Sequence, residues 1–299
     1  MKQLPFYHVD AFTDIPFGGN PAGVVPNAEG LSEVEMQKIA NELNLSETAF
    51  ILPSLDENAD LKIRYFTPSN EIDFCGHATV AAAWVLASEL SWDQKANEVK
   101  FETNIGVVPV QWTKNKGKLD SVSMKQVRPI VKDVPIIASE LCRLIGIDKN
   151  DLDHNYPIKL GYTGNWHLLV PVKSKKAVDA ACPLFEELKL MNEEHQIVTT
   201  HLFTFDSDGE GCDIYTRDFA PAAGILEDPV TGSANGALAG YLFLEGFLES
   251  NLSHSFTIAQ GHSINRPGYL EIKVESEKGL PVIYVGGKAV PIISGYFRL

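Results

Sequence analysis

The chain repeats itself at a distance of about half its length. R-Y-F-T-P begins at Arg64 and R-D-F-A-P at Arg217, and each leads into a helix-length run that is apolar on nearly every side. The first copy continues through Cys75-Gly76-His77 into A-T-V-A-A-A-W-V-L-A. The second continues through Thr231-Gly232-Ser233 into A-N-G-A-L-A-G-Y-L-F-L. A third echo, F-E-T-N-I-G from Phe101 and F-T-I-A-Q-G from Phe256, follows in the same order. Three ordered echoes predict two copies of one fold in a single chain. A cleft between two such halves is the expected place for chemistry, because each half supplies one wall.

The two apolar runs, Ala78 to Leu90 and Ala234 to Leu248, carry Ala and Gly where close approach is needed. A helix that is greasy all round must be surrounded. Strand patterns flank them: Tyr7 to Phe12, Thr48 to Leu52, Leu61 to Phe66, Gly106 to Trp112 and Ser121 to Met124 in the first half. His167 to Val172, Thr199 to Phe205, Cys212 to Arg217, Tyr269 to Val274 and Val282 to Val285 follow in the second. Few of these strands alternate with helices, so a parallel doubly wound sheet is not expected. The pattern predicts an α+β fold of two pseudo-symmetric domains, each a mostly antiparallel barrel wrapped around a central apolar helix. Ser32 with Glu35 forms a capping box before M-Q-K-I-A-N-E-L and predicts an early helix. Ala138 to Ile145 and Pro183 to Met191 read as amphipathic surface helices. Pro129 and the charges around it interrupt the pattern between Gln126 and Asp133, which puts the domains at 1–128 and 129–299.

At 299 residues each half can bury a core. A formal charge of −14 argues against nucleic acid or an anionic membrane as partner. An anionic substrate must therefore be held by local donors. The N-terminus lacks the apolar core of a secretory signal, and no apolar run reaches the ~20 residues of a membrane span. Cys75, Cys142, Cys182 and Cys212 show no C-x-x-C spacing. A cytoplasmic enzyme is the expectation, and the sequons at Asn44 and Asn251 then carry no meaning.

Both apolar helices begin at a glycine. The first turn of a helix holds backbone N–H groups without internal partners and a partial positive charge. Gly76 and Gly232 keep those ends open, so they are candidate seats for a carboxylate or a developing oxyanion. The structural alternative is that each glycine simply lets a buried helix enter its sheet. His77, in the first turn, is a candidate donor or proton relay, or a satisfied core histidine. Asp228, in E-D-P-V-T-G-S, is a candidate substrate ligand or an Asp-Pro turn residue. Ser233 and Asn235 read as caps or ligands. Glu47 stands in N-L-S-E-T-A-F at the head of an apolar strand. It is either a solvated strand-end charge or a buried carboxylate whose pKa desolvation would raise toward neutrality, fit to take and return a proton.

A two-thiol racemase arrangement lacks its second base: Cys75 stands in the first copy, but Thr231 stands opposite it in the repeat. No metal site is signalled, since His77 has no second histidine or paired carboxylate at ligand spacing. There is no G-x-G-x-x-G after a strand, no P-loop and no G-x-S-x-G elbow.

Several stretches resemble the PhzF-like phenazine-biosynthesis family, relatives in fold of diaminopimelate epimerase. They are H-V-D-A-F-T from His8, G-G-N-P-A-G-V-V from Gly18, N-L-S-E-T-A-F from Asn44, F-T-P-S-N-E-I-D-F-C-G-H-A-T from Phe66, E-T-N-I-G from Glu102 and E-D-P-V-T-G-S-A-N-G from Glu227. The resemblance spans essentially the whole chain. It implies two similar barrel domains, a final strand from Ala289 to Leu299 packed back on the first, a homodimer, and no cofactor or metal. It implies that Glu47 is the acid/base, with His77 and Asp228 beside it, and that Asn20, Ser46, Gly76, Gly232 and Ser233 hold substrate. The best-understood relative isomerises dihydro-3-hydroxyanthranilate; Val230-Thr231 and Cys75 depart from it.

The reading that follows is a cofactor-independent isomerase acting on a small carboxylate-bearing metabolite. Its rivals are a Cys75-dependent amino-acid epimerase or racemase and a non-catalytic binder of small carboxylates.

Overall fold

The computed structural model describes residues 3–209 and 211–299. Its elements, in chain order, are β1 (Gln3–Ala11), β2 (Asn20–Val25), α1 (Glu33–Leu43), β3 (Glu47–Pro53), β4 (Leu61–Phe66), β5 (Glu71–Ile72) and α2 (Gly76–Ser88). Then come β6 (Glu98–Thr103), β7 (Gly106–Asn115), β8 (Lys118–Lys125), β9 (Ile130–Lys132), α3 (Ala138–Ile145), β10 (Lys159–Tyr162), β11 (Trp166–Pro171), α4 (Lys175–Ala180) and α5 (Phe185–Glu194). The chain ends with β12 (Thr199–Thr204), β13 (Ile214–Phe219), β14 (Glu227–Asp228), α6 (Gly232–Leu244), β15 (His254–Gln260), β16 (Gly268–Glu277), β17 (Leu280–Gly287) and β18 (Ala289–Arg298). This is a mixed α+β fold, rich in strand and sparing in helix.

The chain divides into two compact units, Met1–Lys125 with Gly286–Leu299, and Gln126–Val285. In the first, β7, β6, β4, β3, β2, β1 and β18 pair side by side, with β8 beyond β7 and β5 added to β4. All these pairings are antiparallel except β2–β3 and β4–β6. In the second unit β16, β15, β13, β12, β11, β10 and β9 pair in the corresponding order, with β14 added to β13. Again only two pairs, β11–β12 and β13–β15, are parallel. The internal echoes of the sequence therefore correspond to one pairing scheme used twice. The last strand, far from β1 in sequence, lies antiparallel against it from Gln3↔Arg298 to Ala11↔Ala289, with a bulge at His8/Val9.

Each apolar helix starts at its glycine, two residues before the hydrophobic run, because the N–H groups of the first turn need no helical partner. In α2 all residues from Ala78 to Ala83 are buried. The helix touches β1, β2, β3, β7, β8 and β18, strands from both ends of the pairing order, so the sheet bends around it. In α6 burial runs unbroken from Ala234 to Phe243. Gly240 makes that tight fit: a Cβ built there would lie 2.3 Å from the Cβ of Pro129. The helix stops at Leu244, short of the apolar pattern's end, because Gly246 turns the chain at φ +81.

The remaining helices cover the outer faces. Ser32 caps α1, accepting from Glu35 N–H while the Glu35 carboxylate accepts from Ser32 N–H, as its sequence predicts. Met36, Ile39 and Ala40 of α1 then pack with Leu4, Val25, Phe50 and Phe66. In the second unit Leu141 and Leu144 of α3, Val178 of α4 and Leu188 of α5 cover Leu168, Val170, Leu202 and Phe219. The surface helix predicted from Pro183 begins at Phe185.

Candidate active site

Helix α1 ends at Asn44, whose left-handed backbone (φ 50) reverses the chain into β3. That turn delivers Ser46 and Glu47, and Glu47 becomes the first residue of β3, opposite Ala22 of the parallel strand β2. Asn20 opens β2 and is buried. Ser46 Oγ donates to the carbonyl of Pro21, 3.2 Å away, tying the two strand starts together.

The first turn of α2 meets the same place. His77 Nε2 lies 3.1 Å from Glu47 Oε2, with side-chain exposures of only 11% and 19%. Ser46 Oγ is 3.5 Å from His77 Nε2, and Cys75 Sγ is 3.5 Å from His77 Nδ1. Cys75 is the N-cap of α2, yet its side chain makes no capping hydrogen bond. A Cβ at Gly76 would meet only the mobile Met124 methyl, at 3.0 Å. The structure thus gathers Ser46, Glu47, Gly76 and His77 at one uncapped helix end, with Cys75 among them.

The charges there follow from the contacts. Burial pushes the Glu47 carboxyl upward, but the His77 imidazole beside it, with the Ser46 and Cys75 side chains close by, brings it below its ordinary value. For His77 burial opposes charge, and the neighbouring Cys75 and Glu47 outweigh it, so the imidazole is held protonated well above its usual range. Burial and the Glu47 charge raise the Cys75 thiol. The expectation that desolvation would lift Glu47 toward neutrality is therefore corrected: its partner reverses the sign. These shifts favour a carboxylate at Glu47 and an imidazolium at His77.

The spacing argument against a metal group at His77 is also corrected by the fold. Glu47, Cys75 and His77 offer ligand atoms that lie within 4.8 Å of one another. A protonated imidazole has no lone pair to give, however, so a metal here would have to displace the proton that pairs His77 with Glu47.

The second unit places Asp228 in the short strand β14, beside Asp218 of β13 in register. Thr231, the N-cap of α6, makes no capping bond with its side chain. Its hydroxyl instead reaches Asp228 Oδ2 at 2.5 Å and Asp218 Oδ2 at 2.7 Å. Gly232 begins α6, and the Ser233 carbonyl accepts from Thr163 Oγ1 at 2.7 Å. Asn235, read in sequence as a cap or ligand, does neither at the surface: it is fully buried and bonded to His201, Thr231 and Gln260. His201 and Asp218 escaped sequence reasoning. A histidine inside T-T-H-L-F-T and an acid inside I-Y-T-R-D-F were the available signals, two polar residues on strands buried throughout.

The family model described as phenazine biosynthesis-like protein, PhzC-PhzF, matches residues 9–295. The chain belongs to the PhzF family. A Clostridium acetobutylicum protein named as an uncharacterized isomerase is 37% identical over 298 residues, covering 98% of this chain and 97% of its own. The trans-2,3-dihydro-3-hydroxyanthranilate isomerase of Pseudomonas fluorescens is 32% identical, covering 94% of this chain and 95% of its own. The crystal structure of a PhzF-family phenazine biosynthesis protein from Bacillus anthracis superposes with a TM-score of 0.90 at 34% identity, covering all of both chains. This PhzF-family chain is accordingly an isomerase. Among its described residues no helix is long and apolar enough to cross a membrane.

Proposed function

We propose that this PhzF-family isomerase moves a proton within a small carboxylate-bearing metabolite, without a cofactor, by acid/base catalysis at Glu47. The observation that carries the reading is the Glu47–His77 pair, largely withdrawn from water at the uncapped start of α2. Glu47, held ionised, takes a proton from a carbon acidified by neighbouring unsaturation or carboxylate. The charge left behind spreads through the substrate. The His77 imidazolium and the free N–H groups at the Gly76 end are suited to stabilise it. Glu47, now a carboxylic acid, returns the proton to another carbon on the same face. The family resemblance further implies a part for Asp228 in catalysis and for Asn20, Ser46, Gly76, Gly232 and Ser233 in holding substrate.

The likeness to the Pseudomonas fluorescens enzyme makes trans-2,3-dihydro-3-hydroxyanthranilate the first compound to try, followed by a panel of unsaturated small carboxylates. Incubation in deuterated water, followed by proton NMR, should show label entering the ligand. Binding with no label entering would favour the non-catalytic carboxylate binder.

One observation favours a second reading: Cys75 Sγ lies in the same cluster, as a thiol-dependent epimerase requires. Two others weigh against it. The thiol is held protonated, and Thr231, its counterpart in the repeat, has its hydroxyl committed to two carboxylates. We further infer that each sheet closes as a barrel around its apolar helix, which the contacts of α2 support. The resemblance also supports a cytoplasmic homodimer.

A further inference from the structure

Each unit carries an arginine on the strand that precedes its apolar helix, and the two arginines make the same contacts. Arg64 of β4 grips Glu71 with two parallel hydrogen bonds, Nε to Oε1 at 2.6 Å and Nη2 to Oε2 at 2.5 Å. Arg217 of β13 grips Glu227 through the same atoms, at 3.0 and 2.8 Å. Each guanidinium also lies over a phenylalanine on its own strand, Phe66 at 5.1 Å and Phe219 at 4.7 Å from the ring centre. Strand periodicity puts arginine and phenylalanine on one face. The same phenylalanines are the register partners of the glutamates, Phe66↔Glu71 and Phe219↔Glu227. A planar guanidinium that stacks and forks at once fixes its partner in direction as well as distance, which a lysine cannot do.

The clamps keep a spacing that the rest of the repeat does not. Arginine and glutamate stand seven residues apart in the first copy and ten in the second. The additional residues are taken up around the turn Pro221–Ala223. Past the glutamates the copies are in step again, for Gly76 follows Glu71 at the same spacing as Gly232 follows Glu227. The start of each helix is therefore counted from the clamped glutamate. The other face of the same strands holds the far end of that segment. Tyr65, next to Arg64, packs its ring edge-on against Phe74 at 5.7 Å, and its hydroxyl meets Thr79 Oγ1 at 2.6 Å. Asp218, next to Arg217, lies 2.7 Å by Oδ2 from Thr231 Oγ1. Between the two holds lie Cys75, Gly76 and His77 in the first unit and Asp228 in the second.

The second clamp is the more deeply buried, with side-chain exposures of 9% and 6% against 19% and 24% in the first. Arg217 Nη1 donates further to the carbonyls of Val178, Asp179 and Ala181 at the end of α4. Arg64 Nη2 donates further to Glu33 of α1, at 2.8 Å. A buried ion pair is seldom the cheapest way to fill a core. Its use in both units points to geometry as its contribution.

We propose that Arg64 and Arg217 are positioning residues of the isomerase. Each arginine–glutamate clamp sets where the following helix begins, Arg64 so that His77 meets Glu47, and Arg217 so that Asp228 and Gly232 stand where the second helix opens. Neither arginine acts on substrate itself. That this placement serves catalysis rests on the acid/base reading above; the placement of His77 does not.

The test is made on the whole protein with ¹⁵N-labelled histidine, the His77 signals being assigned by their loss in His77→Gln. His77 faces Glu47 and Cys75. In folded Arg64→Ala its midpoint should fall by about one pH unit, a tenfold loss of proton affinity, because it is no longer held against Glu47. Loss of the arginine's charge alone would move the midpoint the other way. Guanidinium ion, at a concentration that leaves the unaltered protein folded, should bring it back. Should Arg64→Ala fail to fold, Arg64→Lys keeps the charge, loses the fork and should lower the midpoint in the same direction. Arg217→Lys should leave the His77 midpoint in place and slow hydrogen exchange into a turned-over ligand by about 10-fold to 100-fold, the effect of a small misplacement. A His77 midpoint that does not fall in the folded Arg64 variant, or exchange at full rate in Arg217→Lys, overturns the proposal. A lowered midpoint in Arg64→Ala, with no ligand hydrogen exchanged by the unaltered protein, keeps the first clamp and removes the acid/base reading. Exchange by the unaltered protein with an unmoved midpoint in the variant does the reverse.

Discussion

Glu47 Oε2 and His77 Nε2 stand 3.1 Å apart, one at the head of β3 and the other in the first turn of α2, and each keeps the other charged. Thirty residues separate them in sequence, and the turn at Asn44 together with the entry of α2 into its sheet brings them into contact. The pair explains why a largely buried carboxylate stays ionised, ready to act as a base.

The pair should leave a signature in stability against pH. Glu47 titrates below its ordinary value of 4.5 in the folded protein, so its contribution is whole above pH 4.5 and lost as pH falls through the folded value. His77 titrates well above 6.5, so its contribution is whole below pH 6.5 and lost as pH rises through the folded value. The Tm difference between the unaltered protein and a Glu47→Gln/His77→Gln variant should therefore be greatest between pH 4.5 and 6.5. A difference that is constant with pH would remove the ion pair.

Cys75 lies beside both residues, but burial and the Glu47 charge push its thiol above the ordinary range, so it is not the base. Cys75→Ser should change the rate of hydrogen exchange into a turned-over ligand by less than tenfold, the effect of about 1.4 kcal/mol on a barrier. Complete loss in a folded variant, or inactivation by a thiol reagent that ligand prevents, would restore the epimerase reading.

The fit of α6 should be sensitive at Gly240. A methyl there would meet Pro129 at 2.3 Å, where the neighbour is a ring with little freedom to yield. Gly240→Ala should cost about 1–3 kcal/mol, the range of overpacked cores, despite alanine's better helix propensity. Denaturant unfolding measures it; a neutral or stabilising result would mean that the helix can shift.

The sequence carried the repeat, both apolar helices and most of the strands, because those features are local periodicities. It concealed β2, where Asn20, Pro21 and Gly23 disguise a strand lying between β1 and β3. It concealed β15 and β10 as well, since H-S-F-T-I-A-Q and K-L-G-Y lack clear alternation. Motifs pointed to Glu47 and His77 separately, but the sign of Glu47's shift depended on their contact, which only the fold supplies. The network of His201, Asp218, Asn235 and Gln260 was illegible for the same reason. Its members come from β12, β13, α6 and β15, and no local spacing joins them.

The most direct measurement is deuterium entry into trans-2,3-dihydro-3-hydroxyanthranilate, or into whichever small carboxylate of the panel is turned over, in deuterated water. Glu47→Gln keeps the shape and removes the base. It should slow exchange by roughly 100-fold to 10,000-fold, the usual worth of a general acid/base, while the folded spectrum is retained. Exchange at an undiminished rate in that variant would contradict the account.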